Sequence, residues 1–211
     1  QIQNICFYSK TQGYALTNYG TSTGSDIVIQ KTTDGGDTWK DISRNSSMSA
    51  YVFHKLYMRN SQHLCLVGGS QKSGVVCTSY DGGDYWASSQ LDNMRYIYDC
   101  YFVDDNNGWF ASSDGQIFNT KNAGTSWTQQ FKVDDYTMFY SMFFIDKKNG
   151  WVGASDGKLF NTVNGGINWN QFELGTYTNI NDIYFYDENN GWLATDDGIW
   201  VTRNGGDDWY E

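Results

Sequence analysis

Two carboxylates, Asp99 and Asp182, are the side chains of this sequence best suited to acid–base chemistry. Glycoside hydrolysis needs two carboxyl groups about 5–9.5 Å apart, so the pair would act only if the fold brings their strands together. Both residues occupy one position of a repeated unit, which other copies fill with Asn4, His54 and Ser141 when one-residue slips are allowed in the diverged copies. Because this position is polar in every repeat, whether or not the residue could act in catalysis, we expect its side chains to bind backbone amides. Catalysis by Asp99 and Asp182 is the alternative.

A second set of residues is suited to binding rather than to catalysis. Tyrosines beside carboxylates can stack on sugar rings or contact a protein surface. Such residues are concentrated in the segments that connect one repeated unit to the next. The sequence therefore predicts a ligand-binding surface formed by Tyr51, Asp92, Tyr96, Asp134, Asp135, Tyr136 and Tyr177. The alternative is that several of these rings pack between the repeated units.

Several Asp-x-Gly strings suggest calcium, but we predict neither a metal nor a cofactor. Calcium takes about six to eight oxygen ligands. Only Asp34 and Asp81 place a carboxylate at the key position of these strings, and the corresponding residues elsewhere are Asn122, Asn164 and Asn204. A structural role accounts for the strings, because Asp, Asn, Ser and Thr side chains bind nearby amides and glycine supplies a positive φ.

The strings belong to an eight-residue box that occurs five times. Each box starts with Ser or Thr and ends with Trp, and successive tryptophans are 40 to 47 residues apart. A Gly-aromatic pair precedes four boxes, whereas His63-Leu64 takes its place in the second copy. This period, about 40–45 residues, is typical of propeller blades. The box tryptophans are Trp39, Trp86, Trp127, Trp169 and Trp209.

Each repeat is predicted to form four short strands and essentially no helix. In the third copy the apolar stretches 99–103, 109–112, 116–120 and 127–131 are separated by Asp/Asn turns and by a tight Asp-Gly hairpin. We therefore predict an all-β fold, a β-propeller of five four-stranded blades with a short last strand. A piece of a larger propeller is the alternative. The predicted single domain, 1–211, has repeats at 1–45, 46–92, 93–134, 135–176 and 177–211.

The boxes resemble the Ser/Thr-x-Asp-x-Gly-x-x-Trp pattern of bacterial-neuraminidase (BNR, or Asp-box) repeats. With the upstream Asn-Gly-Trp at Asn107, Asn149 and Asn190, the chain resembles the photosystem II stability/assembly factor-like group of propellers. Families sharing these boxes include sialidases, xyloglucan hydrolases, sorting receptors and assembly factors, so the resemblance implies the fold and leaves the function open. By analogy with other propellers, the ligand face carries the loops between strands two and three and the blade-to-blade crossings.

The arginine content excludes the sialidase function. Sialidases are expected to hold a substrate carboxylate with three arginines and to carry an Arg-Ile-Pro signature. This chain has no proline and only four arginines, Arg44, Arg59, Arg95 and Arg203, of which only two are predicted on the ligand face. The related assembly factors are expected to use a basic patch, and this chain has no arginine cluster.

Charge and composition limit the classes of binding partner that we expect. The 211-residue chain has a formal net charge of −10, which disfavours nucleic acid and anionic lipid as partners. It has no run of about 18 apolar residues, so no membrane insertion is predicted. We expect a non-catalytic, monomeric recognition module, extracellular or on the cell surface, that binds a glycan or a protein surface. It would be a mature or trimmed domain or part of a larger surface protein, and a glycoside hydrolase or an assembly scaffold are the alternatives.

The cysteines leave two possibilities open. Cys65 and Cys77 fall on neighbouring strands of the second repeat, where either a disulfide or two buried free thiols would fit.

Overall fold

A computed structural model describes residues 2–21, 24–42, 51–133 and 136–211. The described residues form five antiparallel sheets, and the chain divides into two compact units, residues 1–97 and 98–211. Helical geometry in the described residues is confined to one 3-10 turn, Ser155–Gly157. None of the described helical segments is long and apolar enough to cross a membrane.

The first unit contains two four-stranded meanders, here named blades 1 and 2, in which each strand pairs with the next along the chain. Blade 1 consists of β1 Ile2–Phe7, β2 Gly13–Thr21, β3 Gly24–Thr32 and β4 Lys40–Asp41. Blade 2 consists of β5 Val52–Met58, β6 Leu64–Gly69, β7 Ser73–Ser79 and β8 Ala87–Asp92.

The second unit contains blades 3, 4 and 5, with the unit boundary at the start of β9. Blade 3 consists of β9 Ile97–Phe102, β10 Gly108–Ser112, β11 Gln116–Thr120 and β12 Thr128–Lys132. Blade 4 consists of β13 Phe139–Phe144, β14 Gly150–Ala154, β15 Lys158–Thr162 and β16 Asn170–Glu173. Blade 5 has β17 Ile180–Phe185, β18 Gly191–Thr195 and β19 Ile199–Thr202, and an isolated bridge between Val201 and Tyr210 stands at the fourth-strand position. The expected short final strand is therefore present as this bridge.

Apolar residues of successive sheets pack on one another within each unit. In the first unit, Tyr14 and Leu16 of blade 1 share a core with Phe53, Leu56 and Leu66 of blade 2. In the second unit, one core joins blades 3 and 4 and another joins blades 4 and 5. The second strands of blades 2, 3 and 4 are therefore buried on both faces, which explains their nearly continuous apolar sequences.

An aromatic ring explains the recurrent glycine that opens the second strand of most blades. The last residue of the first strand is Phe7, Phe144 or Phe185, and it lies directly opposite that glycine. A Cβ at Gly150 would lie 2.4 Å from the ring of Phe144, so only glycine admits the ring. Blade 2 has Met58 opposite Leu64 instead, so both members of the pair have changed together.

A bulge near the start of the first strand shifts the register by one residue in four blades. The extra residue is Gln3, His54, Tyr140 or Asn181 in blades 1, 2, 4 and 5. His54 is equivalent to Asn4 and Ser141 only through a one-residue slip, because His54 is the bulged residue and Lys55 takes that place in the ladder. A single inserted residue is invisible to a composition pattern but moves each side chain to the other face.

Of the two possibilities for Cys65 and Cys77, the structure shows the free thiols. Cys77 pairs across the ladder with Leu66, whereas Cys65 pairs with Thr78. Because neighbouring positions along a strand face opposite sides of a sheet, Cys65 and Cys77 do not form a disulfide, and both are buried free thiols. Burial raises the pKa of the Cys77 thiol to about 12.

Candidate binding surface

The box turns are built from the same hydrogen bonds in all five blades. In blade 1 the Thr32 hydroxyl donates to Asp34 Oδ1 (2.7 Å) and accepts from the Gly36 amide (2.9 Å), while Asp34 Oδ1 accepts from the Thr38 amide (3.0 Å). In blade 4, Thr162, Asn164, Gly166 and Asn168 make the corresponding bonds at 3.0, 2.9 and 3.0 Å. Aspartate and asparagine thus have the same role, because one side-chain oxygen is all that the turn requires.

The turns between strands one and two reinforce the box loops. Asp187 Oδ1 accepts from the amides of Asn189 and Asn190 (2.9 and 2.8 Å), and Asn60 Oδ1 does the same for Gln62 and His63. A backbone bond then joins the two loops of a blade, for example from the Gly205 amide to the Asn189 carbonyl (2.9 Å). We name these two loops together the box surface. Its repeated polar side chains are largely occupied in holding the backbone.

The strand-one position singled out in the sequence also binds backbone. Asn4 Oδ1 accepts from the Leu56 amide in the next blade (3.1 Å). Asp99 does the same for the Met142 amide (2.9 Å), and its other oxygen accepts from the Cys100 amide (2.8 Å). Asp99 is only 4% exposed, which leaves its carboxylate little access to a substrate.

The remaining members of this position differ in their partners. The Ser141 hydroxyl donates to the Ile180 carbonyl of the next blade (3.1 Å). Asp182 Oδ1 accepts from the Ile183 amide within its own strand (3.0 Å) and is exposed. Asp99 and Asp182 therefore have different environments, one buried and bridging two blades and one at the surface.

The predicted binding residues of the first unit are partly packed against their own blade. Tyr51 is half-buried, edge-on to Phe53, and its hydroxyl donates to Gln90 Oε1 (3.1 Å). Gln90 in turn donates to the exposed carboxylate of Asp92 (3.3 Å). Tyr96 is half-buried, with its ring 5.7 Å from and perpendicular to the ring of His54, whose pKa is lowered by burial.

The predicted binding residues of the second unit stand free of the core. Tyr136 and Tyr177 occupy equivalent positions in the crossings that precede blades 4 and 5, and both side chains are almost fully exposed. Each is followed by a buried threonine, Thr137 or Thr178. The Thr137 hydroxyl accepts from Lys158 Nζ (2.8 Å), and the Thr178 carbonyl accepts from the Gly157 amide (2.6 Å). The threonines thus anchor both crossings, while Asp134 and Asp135 lie outside the described residues.

Tyr98 and Tyr140 form an aromatic cluster near the start of the first strands of blades 3 and 4. Neither tyrosine was among the predicted site residues. The rings of Tyr98 and Tyr140 lie 5.5 Å apart. Burial, and then the nearby Tyr98, Asp196 and Asp156, raise the pKa of Tyr140. Tyr140 is the inserted residue of the bulge in blade 4, and no pattern in the sequence marked this cluster.

Blade 5 extends this cluster with a carboxylate held by two amides. Asp196 Oδ1 accepts from Asn181 Nδ2 (2.6 Å) and Oδ2 from Asn179 Nδ2 (2.8 Å). The Asn181 hydrogen bond lowers the pKa of Asp196, so the carboxylate is anionic at neutral pH. We name Tyr98, Tyr136, Tyr140, Asp156, Tyr177, Asn179, Asn181 and Asp196 together the crossing surface of the second unit.

The donor set does not resemble a metal centre. Within the described ranges, no group of three or more His, Cys, Asp or Glu side chains is arranged to hold an ion. The Asp oxygens of the box turns are occupied by amides and hydroxyls, as in the bonds of Asp34. The crossing surface instead presents aromatic rings, amides and carboxylates, a combination suited to binding polar ligands.

Comparison with known proteins identifies relatives by structure alone. No protein-family model matches the sequence, and no curated protein matches it. YCF48 from Cyanidioschyzon merolae aligns with a TM-score of 0.70 at 17% identity, over 93% of this chain and 67% of that one. A YCF48 structure bound to D1 peptide aligns with a TM-score of 0.52 at 17% identity, over 99% and 80%.

An enzyme shares the same architecture. The GH74 enzyme of Niastella koreensis aligns with a TM-score of 0.78 at 16% identity, over 99% of this chain and 38% of that one. At these identities the likenesses establish the fold and not the activity. The fold is a five-bladed β-propeller, as the sequence predicted.

Proposed function

We propose that this chain is a non-catalytic recognition module that binds a polypeptide segment or a glycan on the crossing surface of the second unit. The observation that carries the proposal is the pair Tyr136 and Tyr177, two exposed rings repeated at equivalent positions on anchored crossings. Exposed tyrosines on a fixed backbone offer large contact area at a small cost in conformational entropy.

The charge of the surface favours a cationic or hydroxyl-rich ligand. Asp156 and Asp196 lie near Tyr140, and the chain as a whole has a net charge of −10. Opposite charge speeds association and suppresses binding of the wrong partners. Of the two ligand classes, a polypeptide is supported by the solved YCF48 complex with D1 peptide, although that protein shares only 17% identity with this chain.

A glycoside hydrolase is the second candidate, supported by the shared architecture with a GH74 enzyme. Against it stands the burial of Asp99 and its two amide partners, since a catalytic acid must reach the glycosidic oxygen. Turnover of xyloglucan or another β-glucan that is abolished in Asp99→Asn would overturn the proposal of a non-catalytic module.

The remaining parts of the proposal concern family and location. We propose that the box turns are Asp-box repeats, because their hydroxyl, carboxylate or amide, and glycine form one conserved set of bonds in this chain. An extracellular or cell-surface location is proposed with them, on the acidic composition and the habit of the families that the boxes resemble.

The binding proposal is tested by selection followed by substitution. A random-peptide display library and a glycan array are probed with the intact chain, and the best binder is measured by biolayer interferometry. We expect selected peptides to be rich in Lys and Arg. Replacing Tyr136 and Tyr177 together by Ser should weaken binding by about 10- to 100-fold, since interface tyrosines commonly contribute 1–3 kcal/mol.

The matched control is Tyr186→Ser. Tyr186 is also an exposed tyrosine of the second unit, but it follows a first strand and lies in a box-surface turn. Its replacement should leave binding unchanged. Equal losses in the control and in the double variant would show that the ligand does not use the crossing surface.

A further inference from the structure

The crossings into blades 4 and 5 of the second unit share one backbone arrangement but differ in charge. In blade 4 the Ser155 amide donates to the Met138 carbonyl (2.9 Å), and the Met138 amide donates to the Ser155 hydroxyl (3.3 Å). In blade 5 the Asp196 amide donates to the Asn179 carbonyl (3.2 Å), and the Asn179 amide donates to Asp196 Oδ2 (3.4 Å). Asp196 therefore takes the place of Ser155, and a carboxylate replaces a hydroxyl.

A lysine of blade 4 has a glycine as its counterpart in blade 5. Lys158 Nζ donates to the hydroxyl of Thr137 in the crossing before its blade (2.8 Å). Lys158 lies four residues before the box threonine Thr162, and Gly198 lies four residues before the box threonine Thr202. Because Gly198 has no side chain, residue 198 neither supplies an ammonium nor fills the course that the lysine stem takes in blade 4.

Thr178 is the hydroxyl that an ammonium would bind in the second crossing. It follows Tyr177 as Thr137 follows Tyr136, and it is 2% exposed. In the part of the chain that the structure describes, the Thr178 hydroxyl has no hydrogen-bond partner. Buried polar groups usually have one, because leaving them without a partner is costly. Blade 5 thus combines an unsatisfied hydroxyl, a missing ammonium and an added carboxylate.

Carboxylates border the place of the missing ammonium. Asp196 is fixed there by Asn181 Nδ2 on Oδ1 (2.6 Å) and Asn179 Nδ2 on Oδ2 (2.8 Å). Each oxygen of a carboxylate can accept a second hydrogen bond, so Asp196 is held in position and can still bind a cation. A Cβ at Gly198 would lie 3.2 Å from Glu211 Oε1, which brings a second carboxylate to the same place.

We infer that a lysine of the ligand supplies the ammonium that blade 5 lacks, and that it binds between the Asp196 carboxylate and the Thr178 hydroxyl beside Tyr177. This inference rests on the proposed function and names the group that the crossing surface recognises. An ammonium is a compact charge with three donors, so it can bind a hydroxyl and carboxylates together. The exposed ring of Tyr177 suits the apolar lysine stem.

The test titrates the intact chain with Nα-acetyl-lysine methylamide and follows the side-chain amide signals of Asn179 and Asn181 by two-dimensional NMR. Both amides are bound to Asp196 and report on its carboxylate. We expect saturable shifts with a dissociation constant of about 1–10 mM, and weaker binding at high salt. The norleucine analogue keeps the apolar stem without the ammonium and should produce no saturable shift.

Two substitutions test the site from the side of the protein. Asp196→Asn should weaken binding of the lysine probe by more than about tenfold, because the amide keeps the shape and loses the charge. Gly198→Lys should abolish binding, because it rebuilds the arrangement of blade 4 and fills the site with the protein's own ammonium. Gly198 does not have a positive φ, so its backbone accepts a lysine.

The matched control is Asp197→Asn, which removes the same charge from the neighbouring exposed position and should leave binding within about twofold of the wild type. The dispersion of the NMR spectrum establishes that each variant is folded, and Gly198→Lys decides the matter should Asp196→Asn fail to fold. The inference is overturned if the wild type does not bind the lysine probe, if the norleucine analogue binds equally well, or if a folded Asp196→Asn or Gly198→Lys variant binds like the wild type.

Failure of this inference is distinguishable from failure of the proposed function. Selected ligands that depend on Tyr136 and Tyr177 while the lysine probe does not bind would uphold the recognition surface and refute the ammonium site. Binding of the lysine probe together with selected ligands that are insensitive to these tyrosines would uphold the ammonium site and refute the wider proposal.

Discussion

The box surface and the crossing surface are loop regions of the same blades, yet their chemistry differs. In the box turns the recurring Ser/Thr and Asp/Asn side chains are bound to amides, and the pattern is the same in blades 1 and 4. On the crossing surface Tyr136 and Tyr177 recur before blades 4 and 5 but not before blade 3, where Met94 is buried, and both tyrosines have their side chains in solvent. Polar side chains that are bound to the backbone therefore belong to the scaffold, and the function is to be sought where side chains are left in solvent.

The largest expected effect comes from removing one hydroxyl of the box. Thr162→Val leaves the buried Gly166 amide without its acceptor and removes the donor to Asn164. Because an unsatisfied buried amide costs about 1–3 kcal/mol, we expect the free energy of unfolding to fall by roughly 2 kcal/mol, measured by urea denaturation.

The same Thr-to-Val substitution at Thr178, next to Tyr177 of the crossing surface, is the control for Thr162→Val. Thr178 is equally buried, but its hydroxyl has no hydrogen-bond partner among the described residues. Thr178→Val should therefore leave the free energy of unfolding unchanged or raise it, because the substitution removes a buried hydroxyl that has no such partner. Equal destabilisation by the two substitutions would remove the distinction between the surfaces.

A second, smaller effect concerns acid stability. Hydrogen bonds from the Thr38 side chain and amide hold the pKa of Asp34 below its ordinary 3.8, and those from the Tyr85 amide and the Ser79 hydroxyl do so for Asp81. A depressed folded-state pKa contributes stability above the unfolded pKa, and this stability is lost as the pH falls through the folded pKa. The melting temperature of the wild type should therefore fall between about pH 5 and pH 2.

Converting these two boxes to the asparagine type should flatten that profile. The Asp34→Asn, Asp81→Asn double variant keeps one acceptor oxygen in each turn but loses the titrating carboxylates. Asp37→Asn with Asp84→Asn removes the same charges from the same loops and is the control, in which the acid-dependent loss should persist. A profile that is unchanged in the double variant would contradict the role assigned to the box carboxylates.

The smallest effect on stability is expected on the crossing surface. Asp196→Ala removes an exposed carboxylate that orders Asn179 and Asn181. The urea midpoint should stay within error of the wild type, while binding of the selected peptide weakens severalfold. Asp197→Ala, at the neighbouring exposed position, is the control for net charge. A loss of stability without a loss of binding would assign Asp196 to the scaffold.

The fold could be predicted from the sequence because its turns and hairpins depend on residues that lie close together along the chain. Box residues within five positions of one another make the turn bonds, and Phe opposite Gly sets each hairpin of the Gly-aromatic type. The site was less predictable. The bulge that places Tyr140 beside Tyr98 is an insertion with no compositional mark, and a corresponding bulge in blade 2 puts Lys55 rather than His54 in the ladder. Whether a tyrosine is exposed, as Tyr177 is, or is held by a partner depends in part on segments distant in sequence, since the Tyr51 hydroxyl binds Gln90.

The short reach of the box also has a kinetic consequence. The bond from the Gly36 amide to the Thr32 hydroxyl spans four residues, so the turn between strands three and four closes at almost no cost in loop entropy. We expect such turns to form early and to fix the register of their hairpins before contacts between blades are made. Each blade then brings its own nucleation site, so a copy whose other positions have diverged, as in blade 2, can still begin to fold by the same local step.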